Sequence, residues 1–290
     1  MKIIFSPKCL EYKVAGHPDS PQRVSSSYEF LKQKGFEFIE PIAASDEDIL
    51  LAHTPELLEK VKNLDLDDPD TPPLDNIFEY SALSAGAAIK AMELCLNGEP
   101  AFSLMRPPGH HATKTGSGGF CYFNNIAIAV KKASRLVNKI AILDIDCHHG
   151  NGTEDIFLGQ DKILCASLHR VPLYPGTGIK SSQNCLNYPL STQVSEFEYL
   201  AYLQDALSQI KNFKPGILAV SAGFDTYKGD PVAGLGLEVE SYGKIGKEIR
   251  ALGIPYFCVL EGGYARKLPE CIYEFMRGLA DNQGDSSSTT

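Results

Sequence analysis

The feature that most constrains this chain is the run Lys139-Ile-Ala-Ile-Leu143, which passes without a break into Asp144-Ile-Asp-Cys-His-His-Gly-Asn151. Its length and β-branched content predict a buried parallel strand. Two carboxylates and two imidazoles therefore stand where a strand gives way to a loop. Open α/β sheets put their ligand sites at that place. Alternation along an extended chain sends Asp144, Asp146 and His148 to one side, which makes Asp146 and His148 a candidate metal-binding pair.

The same punctuation recurs along the chain. Apolar segments at 2–5, 101–104, 140–145, 163–168, 217–222 and 256–260 predict strands. Helical patterns at 21–34, 55–63, 77–96, 124–137, 196–212 and 239–252 alternate with them, the first opened by Ser20 as N-cap and Pro21 in the first turn. This alternation predicts a single α/β domain with three α/β/α layers around a mainly parallel sheet. With 290 residues the chain can bury a full core. The expected organisation is one catalytic domain over residues 1–280 and a polar, Ser/Thr-rich tail over 281–290. The acidic, proline-containing stretch 65–75 reads as a surface loop.

Bulk chemistry narrows the partners. A formal charge of -9 argues against nucleic acid, whose phosphates require a basic face. It suits a cationic substrate, although many enzymes are equally acidic. Eight cysteines are scattered without a CxxC pair, as expected of buried, reduced thiols in a cytoplasmic protein. With no apolar stretch of 18 residues, no membrane span is expected. Oligomeric state is not legible.

The residues just beyond the predicted strands carry the chemistry. After 101–104 comes Arg106-Pro-Pro-Gly-His110-His111, after 217–222 comes Gly223-Phe-Asp225, and after 256–260 comes Glu261-Gly-Gly-Tyr264. Parallel strands bring these ends to one edge of the sheet. Asp146, His148 and Asp225 then form a three-ligand set that leaves room for water and substrate, with Zn²⁺ expected and Fe²⁺ as an alternative for so hard a donor set. His110 and His111 can divide labour, one neutral and able to take a proton from water, the other charged. Asp144 and Asn151 are the available partners for them. A carboxylate raises an imidazole's pKa and an amide does not, so the Asp-paired histidine is expected to be the charged one. Tyr264 comes after two glycines and can donate a hydrogen bond to a developing oxyanion.

At this point a resemblance becomes specific. Arg106-Pro-Pro-Gly-His-His, Gly119-Phe-Cys-Tyr-Phe-Asn124, Asp144-x-Asp-x-His-His-Gly150, Ser221-Ala-Gly-Phe-Asp225 and Leu260-Glu-Gly-Gly-Tyr264 resemble the histone deacetylase and acetylpolyamine amidohydrolase family. The match runs in order from about His17 to Tyr264. The resemblance implies an arginase–deacetylase fold and a zinc-dependent hydrolase that removes acyl groups from amines. It makes Asp146, His148 and Asp225 the zinc ligands, His110 and His111 the tandem catalytic histidines with the second as general base, and Tyr264 the carbonyl-polarising tyrosine. By the same resemblance, Gly119, Phe120 and Tyr174 wall an acyl-lysine channel and Asp70 stands at its rim. Asp144 and Ser167, with the backbone of Leu168, resemble a structural K⁺ site. Arg23 resembles a buried arginine beside an internal cavity. Asn at position 151 resembles the class II-like branch.

The expected activity is hydrolysis of an N-acetyl-lysine or related acyl-lysine amide in a protein or peptide. The runner-up is acetylpolyamine hydrolysis, for which Asp65, Asp67, Asp68, Asp70 and Asp75 could receive a polycation. A non-catalytic acyl-lysine binding module is a third reading, against which the full ligand and tyrosine set stands.

Overall fold

The computed structural model describes residues 1–280; the polar tail expected over 281–290 lies outside them. Eight strands form one sheet: β1 (Lys2–Ile4), β2 (Phe38–Ile39), β3 (Ala101–Ser103), β4 (Ile140–Asp144), β5 (Ile163–Arg170), β6 (Cys185–Leu190), β7 (Ile217–Ala222) and β8 (Tyr256–Leu260). Their order is β2-β1-β3-β8-β7-β4-β5-β6, and every pairing is parallel. Strands β3, β4, β7 and β8 are buried along their whole length, which is why they read as unbroken apolar runs.

Helices α1 (Pro21–Gln33), α2 (Asp46–Ile49), α3 (Pro55–Lys62), α4 (Ile77–Leu96), α5 (Asn125–Ala133), α6 (Asn151–Phe157), α7 (Glu196–Phe213), α8 (Val239–Ala251) and α9 (Leu268–Leu279) flank the sheet. The almost entirely apolar α4 packs on α5 and against β1, β3, β7 and β8. A second group packs in the order α1, α9, α8, α7. This is the three-layer α/β/α arrangement that the family resemblance implies.

The fold also departs from the sequence pattern in places. Strands β2 and β6 and helices α2, α6 and α9 lie outside the segments that the pattern predicts. The helix expected over 124–137 ends at Ala133, where Ser134 turns its hydroxyl back onto the Lys131 carbonyl. Ser20 does stand at the N-cap of α1 but makes no capping hydrogen bond. All eight cysteines are unpaired and buried. Among the described residues no helix is long and apolar enough to cross a membrane.

The topology decides where a site can form. The chain builds β1–β3 on one side, crosses to β4–β6 on the other, and then returns to insert β7 and β8 between β3 and β4. Because all strands run the same way, the loops after β3, β4, β7 and β8 emerge side by side at the carboxyl edge. That edge, at a reversal in strand order, is where α/β sheets leave a crevice.

Candidate active site

Asp146 and His148 leave β4 on one short loop, and Asp225 leaves β7, the strand paired with β4. One ligand atom from each lies within 4.8 Å of the others, and all three residues are buried. Backbone amides hold them there. Asp146 Oδ1 accepts from the His148 amide (2.9 Å) and Oδ2 from the Gly262 amide (2.7 Å). Asp225 Oδ1 accepts from the Cys147 amide at 2.8 Å. His148 Nδ1 sits 3.0 Å from Asp146 Oδ1 and 2.8 Å from Asp225 Oδ2.

These donors suit a cation. Asp225 Oδ2 is fully buried and makes no hydrogen bond among the described residues despite its closeness to His148. A buried carboxylate oxygen left so is costly unless a cation completes it. Burial and the Asp146 charge push the Asp225 carboxyl up to about 7. Burial opposes a charge on His148, but Asp225 and Asp146 outweigh it and drive the imidazole up to about 10. A divalent ion would relieve both tensions, because it favours the carboxylate and the neutral imidazole together. Asp146, His148 and Asp225 are therefore a candidate metal-binding triad. Glycine is required next to it: a Cβ on Gly262 would stand 2.6 Å from Asp146 Oδ2 and 2.8 Å from Asp225 Oδ2.

The two histidines after β3 lie 4.0 Å apart between ring centres, their planes tilted by 43°, yet face different partners. His110 Nδ1 meets Asp144 Oδ2 at 2.9 Å, and His111 Nδ1 meets Asn151 Oδ1 at 2.7 Å. Burial disfavours charge on both. For His110 the carboxylates of Asp144 and Asp146 overcome it and raise the imidazole well above its ordinary value. For His111 nothing does, and the charges of His110 and His148 add to burial, so it lies well below. An amide oxygen can only accept, so His111 carries its proton on Nδ1 and leaves Nε2 as a free base.

Above the triad is a pit of about 200 Å³ lined by residues that include His110, His111, His148, Gly119, Phe120, Tyr174 and Tyr264, with Asp70 at its edge. Gly119 and Phe120 both adopt left-handed backbone, φ +56° and +71°. For phenylalanine this conformation costs on the order of 1–3 kcal/mol and persists only where neighbours enforce it. Thr71, fully buried, accepts the Phe120 amide at 2.9 Å, and His17 packs edge-on to the Phe120 ring. A Cβ on Gly119 would meet the His111 ring at 2.6 Å and the Tyr174 ring at 2.8 Å. Asp70 is exposed, and its carbonyl is tied to His17 Nε2 at 3.1 Å. Asp144 and Ser167 are register partners on β4 and β5, with Leu168 next in line. A wider hollow of about 500 Å³ lies at the opposite edge of the sheet, around Lys2, Phe36 and Pro100. It holds no comparable cluster of reactive side chains among the described residues.

Tyr264 is held from below. Arg23 donates to the carbonyls of Gly263 and Glu261, each at 2.6 Å, and its guanidinium lies 4.6 Å from the centre of the Tyr264 ring. Asp19 pairs with both Arg23 and Arg106, all three buried. Glu261 accepts from the amides of Gly109 (2.7 Å) and His110 (3.1 Å) and from the Ser221 hydroxyl (3.0 Å), which binds three strand ends together. Sequence reasoning gives no role to Asp19, Thr71, Asp230 or Glu261. Their work is to receive backbone or guanidinium protons, a task with no spacing signature.

Comparison with known proteins agrees with this architecture. The histone deacetylase domain profile matches residues 17–279. A probable deacetylase of Archaeoglobus fulgidus is 36% identical over 290 residues, covering 91% of this chain and 81% of that protein. Acetylpolyamine amidohydrolase 1 of Pseudomonas aeruginosa is 39% identical over 210 residues, covering 68% of this chain and 61% of that protein. The crystal structure of acetylpolyamine aminohydrolase from Burkholderia pseudomallei superposes with a TM-score of 0.91 at 26% identity, over 96% of this chain and 98% of that one. Fold and comparisons together define a hydrolytic enzyme that acts on amides. The chain belongs to the histone deacetylase family.

Proposed function

We propose that the chain is a zinc-dependent deacylase that hydrolyses N-acetyl-lysine, or a related acyl-lysine, in a protein or peptide. The observation that carries this reading is the pit whose lining brings the Phe120 and Tyr174 rings together with His111, Tyr264 and His148, the histidine of the Asp146–His148–Asp225 triad. Two aromatic walls suit a slim methylene tether and exclude water around it.

Asp146, His148 and Asp225 would hold a divalent cation, which when bound would supply Lewis acidity and lower the pKa of water at the site. His111 Nε2 takes the proton of the attacking water, its other nitrogen being committed to Asn151. The hydroxyl of Tyr264 donates a hydrogen bond to the acyl oxygen as negative charge grows there. His110, whose positive charge the Asp144 carboxylate favours, adds positive potential to the same site. The C–N bond then breaks, and the imidazolium of His111 returns its proton to the leaving amine; the carboxylic acid formed passes its own proton to that amine, which gives a carboxylate and an ammonium. Asp144, Ser167 and the backbone of Leu168 would hold a structural K⁺ ion, as the family resemblance implies.

Acetylpolyamine hydrolysis is the second reading, favoured by the exposed Asp70 at the mouth and by the activity named for the Pseudomonas and Burkholderia relatives. Turnover of acetyl-lysine peptides against N-acetylputrescine and N-acetylspermidine separates the two. A kcat/KM at least about tenfold higher on the peptides supports the first reading, and the reverse ranking supports the second.

A further inference from the structure

We propose that Asp230 is the positioning residue for Tyr264, setting the phenol's height over the metal triad and moving it as one body with the Val232 wall of the pit. The inference rests on the oxyanion role given to Tyr264 above. Asp230 lies on the loop after β7, five residues beyond Asp225, and its carboxylate is spent entirely on backbone amides. Oδ2 accepts from Tyr264 (2.7 Å) and Ala265 (3.1 Å). Oδ1 accepts from Val232 (2.9 Å) and Ala233 (3.2 Å). One side chain thereby joins two segments that are 34 residues apart in sequence and line the same pit.

The loop that carries Asp230 is itself braced. The Gly234 amide returns to the Asp225 carbonyl at 2.8 Å, and Arg170 donates to the carbonyls of Ala233 and Gly234. Tyr264 comes after Gly263 at φ +118°, a torsion only glycine takes readily; Arg23 holds the carbonyl of that glycine, and Asp230 holds the amides of Tyr264 and Ala265 that follow it. The Asp230 carboxylate is thus a direct tether from the ligand loop to the Tyr264 backbone. It is nearly buried, and an acceptor of four amides has no neutral substitute of the same shape. An asparagine can serve one amide pair with its oxygen but must turn its NH₂ toward the other pair.

Misplacement of a catalytic group by about 1 Å costs on the order of 10²-fold in rate. The test is a double-mutant cycle on the zinc-reconstituted protein, with Asp230→Asn, Tyr264→Phe and the combination assayed on an acetyl-lysine peptide. Zinc content and melting temperature are measured alongside. Asp230→Asn is expected to lower kcat by about tenfold or more with KM and zinc content close to wild type, and to cost under about threefold once Tyr264 is already phenylalanine. Multiplicative losses in the double variant, or a wild-type kcat for Asp230→Asn, would overturn the proposal. A silent Tyr264→Phe would instead remove the oxyanion role on which it rests, and the two failures are read from different variants. Should the asparagine variant not fold, Asp230→Glu, which keeps the charge and displaces the acceptor, runs through the same cycle with the same readings.

Discussion

His110 and Asp144 meet as a buried ion pair, Nδ1 to Oδ2 at 2.9 Å, with the two side chains 3% and 4% exposed. The next residue, His111, meets an amide instead, and the two imidazoles are driven to opposite sides of their ordinary pKa. This asymmetry underlies the proposed division of labour, with positive charge from His110 and a free base from His111 at adjacent positions on a single turn.

That division predicts a pH phenotype. In Asn151→Asp, a carboxylate beside His111 stabilises its protonated form, so its pKa rises and the neutral base survives only at higher pH. The acid limb of the kcat/KM profile should move upward by about one unit or more. An unmoved limb would remove His111 from the base role.

Loss of the two acting groups should separate chemistry from metal binding. Tyr264→Phe and His111→Ala are each expected to lower kcat by roughly 10²- to 10³-fold while zinc content stays at wild-type level. Near wild-type turnover in either variant contradicts its assigned role.

Gly262 leaves no room for a Cβ beside the Asp146 and Asp225 carboxylates and donates its amide to Asp146. In Gly262→Ala the new methyl must displace Asp146 or Asp225. Zinc affinity, measured by competition with a chromogenic chelator, should fall by about 10- to 100-fold. Unchanged affinity would mean that the carboxylates are looser than they look.

Asp19 neutralises two buried guanidinium groups beneath Tyr264. Burial works against its charge, but Arg106 and Arg23 outweigh that and hold the carboxyl below its ordinary 3.8. The stability it contributes is therefore present above that value and lost as pH falls through the lower, folded-state pKa. Asp19→Asn leaves two cations without a counter-charge and should cost about 3 kcal/mol in urea unfolding at neutral pH.

The parts of this protein that are legible in its sequence are those with a strong local signal. β4 and β7 are continuous apolar runs because both faces are covered, and the reactive residues come directly after them. β2 has only two residues, and β6 is an edge strand with alternating burial and a proline at 189, so neither stands out from loop. Helix α9 does carry a signal: Leu268, Cys271, Ile272, Phe275, Met276 and Leu279 repeat at helical spacing and are buried. The side chains proposed to act directly, His111 and Tyr264, sit in recognisable motifs. Those that hold them make their decisive bonds far along the chain, Asp19 to Arg106, Asp230 to Tyr264 and Glu261 to Gly109, His110 and Ser221, and no short sequence window contains both partners of those bonds.

The measurement that bears most directly on the central claim is acetate release from an acetyl-lysine peptide, compared among zinc-reconstituted wild type, the same protein stripped by chelator, and zinc-treated Asp225→Asn. Turnover confined to the zinc-loaded wild type, restored to the stripped protein by added zinc and not to the variant, is the predicted result. Equal acetate release from all three would contradict it.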